Sequence, residues 1–111
     1  MRILLTITPR LYREALALSI HRRRPDFEVL LAPPWLLDRR AERFEPHVLV
    51  QDADEAGLSP ALEGGVVCRV LVLKKPEHID ATIELDGTAT AVQDICLEDL
   101  FEVLEGAERL S

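Results

Sequence analysis

No apolar run in this sequence is long enough to cross a membrane. The longest near the N-terminus, Ile3 to Ile7, is also too short for the core of a secretion signal, which predicts a cytoplasmic protein without membrane partners. Cysteine is scarce. Cys68 and Cys96 each lie in an apolar context with no second ligand at metal spacing, so free, buried thiols are expected, with no metal and no cofactor. Clustered positive charge is lacking too: 13 Lys and Arg against 20 Asp and Glu give a net charge of −7, which excludes an ordinary nucleic-acid footprint. The one basic cluster, Arg22-Arg23-Arg24, falls where a helix should end, where cations complement the negative end of the helix dipole. With Arg10 and Arg13 it weights the first half toward positive charge and leaves the second half acidic.

Catalytic signatures are missing as well. Thr6 to Leu11 contains no glycine, so no glycine-rich loop follows the first strand to cradle a phosphate. Ser19 and Ser59 lack any nucleophile-elbow pattern. His21 and His78 read as exposed helix-end and loop residues, and His47 opens a strand, so none is expected to act as a base or ligand. The chain does not read as an enzyme.

What is present is one ordinary globular domain. Its 111 residues are 48% hydrophobic and 30% charged, with mean hydropathy near zero, enough to build a core without disulfide or metal. Arg2 to Ile7 is a continuous apolar run that reads as a strand buried on both faces. From Pro9 to about Arg23, Leu11, Ala15 and Leu18 recur at helical spacing beside Tyr12, Leu16 and Ile20, and Pro25 closes the element. Phe27 to Leu31 is a second strand. Pro33-Pro34 permits a helix start, Leu37, Ala41 and Phe44 give that helix an apolar stripe, and Pro46 ends it before a third strand, Val48 to Val50. Asp54 to Gly65, with Gly57, Pro60, Gly64 and Gly65, leaves room for a short helix or an irregular loop before a fourth strand, Val66 to Leu73. Ala81 to Leu85 and Thr88 to Val92 flank Asp86-Gly87, a two-residue hairpin signal that sets Leu85 opposite Thr88 and Ile83 opposite Thr90. Leu97, Leu100, Phe101 and Leu104 stripe a last helix, with Asp94 as N-cap and Gly106 near its end. Repeats and low-complexity tracts are absent.

Strands alternating with helices imply right-handed crossovers and an α/β fold with helices on both sides of the sheet. In such a sheet chemistry gathers at the carboxyl ends of the strands, which here carry Thr6 and Thr8, Asp52 and Asp54, and Lys74 and Lys75. Arg2-Ile3-Leu4-Leu5, Leu11 to Leu16, Arg24 to Val29 and Pro46 to Asp52 each fall at the spacing of the receiver domains of bacterial response regulators, which the first half resembles, especially those of helix-turn-helix transcriptional regulators. The resemblance implies a three-layer, mostly parallel sheet of about five strands, flavodoxin/CheY-like. To this the Asp86-Gly87 signal adds an antiparallel hairpin strand near the C-terminus.

Receivers phosphorylate their own aspartate with the help of an acidic pair, a Mg²⁺, a hydroxyl residue and a lysine, because the attacking carboxylate needs cations on the phosphoryl oxygens. Asp52 falls in register with that acceptor. The acidic pair is replaced by Ile7 and Thr8, Lys74 stands at the hydroxyl position, and the fifth strand ends in Leu85-Asp86 without a lysine. Asp52 therefore has three readings: a phosphoacceptor, a cap for the next turn, or, most favoured, the partner of Lys74, whose ammonium would stabilise the carboxylate without metal. The degenerate site comprises Thr6, Ile7, Thr8, Asp52, Asp54 and Lys74. The expected function is that of a non-catalytic regulatory domain that binds another protein, with an anionic-ligand sensor or enzyme at the same edge as the alternative. Thr88, Ala89, Thr90, Ala91 and Val92 form an uncharged edge strand through which a homodimer is expected.

Overall fold

The structure, a computed structural model, describes residues 1–55 and 65–111, apart from the side chains of Asp38 and Glu55. Most of the loop expected between the third and fourth strands, including Gly57, Pro60 and Gly64, lies outside the described residues. The elements are β1 (Arg2–Leu5), α1 (Arg10–Arg23), β2 (Glu28–Leu31), α2 (Leu37–Phe44), β3 (Val48–Asp52), β4 (Cys68–Lys74), β5 (Ile79–Leu85), β6 (Thr88–Val92) and α3 (Leu97–Leu110). Two 3-10 turns, Pro34–Leu36 and Ala53–Glu55, precede α2 and follow β3.

The strands form one six-stranded sheet in the order β2-β1-β3-β4-β5-β6. β2, β1, β3 and β4 run parallel, whereas β4, β5 and β6 form an antiparallel meander. This corrects the expected mostly parallel, five-stranded flavodoxin/CheY-like sheet. Only Lys75 to His78 separate β4 from β5, and a parallel neighbour needs a crossover of about a dozen residues or more, so the chain has to reverse. The hairpin that follows has the register its turn dictates, with Leu85 opposite Thr88 and Ile83 opposite Thr90. Asp86 and Gly87 both have positive φ, 51° and 79°, as a two-residue turn matching the sheet's twist requires.

One face of the sheet holds the larger core. Ile3, Leu5, Val48, Val50, Val70 and Ile83 pack there under Ile20 of α1 and Leu100, Phe101 and Leu104 of α3. On the other face Leu4 and Leu49 meet Leu37 and Ala41 of α2, as the spacing in that helix predicts.

The apolar stripe expected to bury α1 faces solvent instead. Leu11 is 69% exposed and Leu18 50%, while Ile20 is buried and Leu16 and Ala17 pack on the core. Apolar residues occur all round this helix, so periodicity alone cannot choose its inner face. In α3 the N-cap is Cys96, not Asp94. The Asp99 carboxylate accepts the Cys96 N–H at 3.1 Å, Asp94 turns with a φ of 51°, and the helix runs through Gly106 to Leu110. Cys96 is consequently exposed, against the expectation of a buried thiol, while Cys68 is buried.

Candidate functional site

Parallel pairing brings the ends of β1, β3 and β4 to one edge. The Thr6 N–H donates to the Val50 carbonyl at 2.9 Å, holding the chain beyond β1 beside β3. Asp52, the last residue of β3, pairs with Val72 of β4, two residues before Lys74. Strand alternation therefore places the Asp52 and Lys74 side chains on the same face.

Their charged atoms meet: Lys74 Nζ donates to Asp52 Oδ1 at 2.7 Å. Asp52 Oδ2 accepts the Thr8 N–H at 3.1 Å and also the Thr8 hydroxyl. The Lys74 ammonium donates to the Thr8 carbonyl and, at 3.3 Å, to Thr8 Oγ1. Thr8, Asp52 and Lys74 thus form a closed triangle in which each carboxylate oxygen has a donor. Asp52 is 3% exposed, and its charge is matched by an ammonium within hydrogen-bond reach. The arrangement ties three segments together.

The other expected members lie apart from this triangle. Ile7 belongs to the core, and its carbonyl accepts Arg13 Nη1 at 3.1 Å. Thr6 is buried through its place beside β3, and Asp54 is exposed on the 3-10 turn. Lys75 turns to Asp80, at 3.4 Å. Among the described residues no group of three or more His, Cys, Asp or Glu converges as a metal site. The contact of Arg13 with the end of β1 was not foreseen, because in the sequence it is one more cation on a helix.

Beside the triangle, α1 and α3 leave a crevice of about 310 Å³, walled by Tyr12, Leu16, Val72, Ile79 and Leu97, with Lys74 at its rim. At the far side of the sheet Thr88, Ala89, Thr90 and Ala91 of β6 are all exposed, and β6 pairs only with β5. The arginine triplet closes α1 as its position predicts. Arg23 pairs with Glu98 at 2.6 Å, and Arg24 bridges Asp26 at 3.0 Å and Glu108 at 2.6 Å, which tie the helix end to α3.

Away from the triangle, His47 and Cys68 are among the groups whose acidity is shifted. Burial pushes the His47 imidazole below its ordinary value, helped by the nearby Arg2 and N-terminal charges, and its Nδ1 accepts the Arg2 N–H at 3.0 Å. Burial, with the Glu84 charge, pushes the Cys68 thiol up to about 11.

No helix among the described residues is long and apolar enough to cross a membrane. Compared with protein-family models, with curated proteins and with solved structures, the chain matches none.

Proposed function

We propose that this protein is a non-catalytic interaction domain with a regulatory role, one that Mg²⁺-dependent aspartyl phosphorylation does not switch. The observation that carries this reading is the state of Asp52, whose two oxygens are held by Lys74 and Thr8 at 3% exposure. A phosphoacceptor needs an open carboxylate oxygen and cations free to meet the incoming phosphoryl group. Here the ammonium at the site is already spent on Asp52 and Thr8. The regulatory role rests on the resemblance of the first half to receivers.

The contact surface in this reading is β6. Thr88 to Val92 carry no charge and no proline, and their outward backbone groups lie at the sheet's edge, open to a further strand. A second copy related by a two-fold axis supplies such a strand, which makes a homodimer the simplest partner. Intact-mass measurement after incubation with Mg²⁺ and a small acyl phosphate tests the non-catalytic part. The mass should stay unchanged. A stable gain of one phosphoryl group that disappears in Asp52→Asn overturns it.

A further inference from the structure

Among the described residues Arg13 is the one buried cation, only 8% exposed. Burying a guanidinium is costly unless an anion meets it. Arg13 donates through Nη1 to the Ile7 carbonyl, yet no carboxylate of the described residues lies within ion-pair distance of it. Its remaining surface lines a cavity of about 580 Å³ at the carboxyl edge, together with Thr8, Arg10, Glu14, Pro33 and Trp35. That volume is in the range of small-molecule sites.

Two further features of the cavity suit a negatively charged guest. The 14-residue helix α1 begins there at Arg10 with no side-chain cap and no acidic residue in its first turn. The Tyr12 N–H is held by the Pro9 carbonyl at 2.9 Å, but the Arg10 and Leu11 amides have no side-chain cap and the positive dipole end meets no carboxylate in that turn. Arg10 stands at the wall paired with Glu14 at 2.8 Å, so one cation and one carboxylate of the lining cancel and Arg13 remains. Trp35, 82% exposed and the sole tryptophan of the chain, also lines the cavity. An indole presented to solvent beside a cationic cavity offers a flat apolar surface on which a ring can stack.

We propose that this cavity binds a small anion carried on a planar ring, the class to which nucleoside monophosphates and aromatic carboxylates belong. The Arg13 guanidinium and the start of α1 meet the charge, and Trp35 stacks on the ring. Thr8 lines this cavity whereas Asp52 and Lys74 do not, so the site does not depend on how Asp52 is read. It gives the interaction domain a ligand input.

Because Trp35 is the only tryptophan, its fluorescence reports on the cavity directly. Adenosine monophosphate, adenosine and inorganic phosphate are titrated separately at constant ionic strength. Saturable quenching by the nucleotide is expected, with a midpoint about tenfold or more below that of adenosine, since a charge-assisted contact distinguishes them. Arg13→Met replaces the buried cation by an apolar chain of similar length and should bring the two midpoints together with the circular dichroism unchanged. Should Arg13→Met not fold, equilibrium dialysis of the nucleotide against the surface variant Trp35→Ala decides, with at least about fivefold weaker binding expected. The proposal is overturned if no ligand quenches saturably up to millimolar concentration. It is equally overturned if nucleotide and nucleoside bind alike, or if a folded variant binds as the wild type does.

Discussion

Replacing Lys74 by methionine keeps the aliphatic stem and deletes the ammonium. Asp52 would retain both contacts to Thr8 on Oδ2 but lose the donor at 2.7 Å on Oδ1. Breaking a fully buried ion pair from one side costs about 3–5 kcal/mol, because the surviving charge is stranded. The Lys74 side chain is 30% exposed, so water can reach the vacated oxygen. That access lowers the expected cost to about 2 kcal/mol, or a fall in melting temperature of roughly 10 °C for a domain of this size. Asp52→Asn in the same background should recover part of the loss, since no carboxylate is then left unpaired. The two substitutions together should cost less than the sum of the singles by about 1 kcal/mol. Urea unfolding should be followed by far-ultraviolet circular dichroism and not by tryptophan emission, because Trp35 is exposed in the folded state. Should Lys74→Met lie within about 0.5 kcal/mol of the wild type, with additive double-variant behaviour, the two residues are uncoupled and the tie does not hold the strand ends.

The lowered pKa of His47 makes folding pH-dependent, because the folded state favours the neutral imidazole. Its contribution is fully present above the unfolded value near 6.5 and is lost as pH falls from there toward the lower folded value. Stability at pH 5.5 should therefore drop relative to pH 7.5 by roughly 1 kcal/mol or less, the scale of the single Arg2 N–H contact. Paired unfolding curves should show that drop shrinking in His47→Gln. The two thiols should also separate. A thiol-specific reagent at pH 8 should modify exposed Cys96 quickly and spare buried Cys68, whose acidity is pushed to about 11, until denaturant is added. Equal native-state rates would contradict the burial of Cys68.

Local chemistry made much of this fold legible. The run Arg2 to Leu5 is a strand, Pro46 ends α2, and Asp86-Gly87 fixes both the hairpin and its register, because each signal acts over a few residues. The direction of β5 depends on the length of the β4–β5 connection. The four residues Lys75 to His78 force a reversal that the resemblance to parallel-sheet receivers does not contain. The inner face of α1 was hidden because Leu11 and Leu18 look as apolar as Leu16 and Ile20. At the site, Asp52 and Lys74 were legible as a pair because neighbouring parallel strands end side by side. Thr8 belongs with them, but Thr6, Ile7 and Asp54 share only the edge. Arg13 gave no signal, since its burial depends on how α1 rotates against the sheet.

The claim that this chain acts by offering a surface is tested most directly by its mass in solution. Counting from the two-residue turn, the Leu85–Thr88 and Ile83–Thr90 pairs exchange hydrogen bonds, so the amides of Ala89 and Ala91 point outward from the sheet. Ala91→Pro removes one outward donor without touching the β5–β6 ladder. Light scattering at high micromolar concentration should give a dimer for the wild type and a folded monomer for Ala91→Pro. A monomeric wild type, or a variant that remains both folded and dimeric, would contradict pairing through β6.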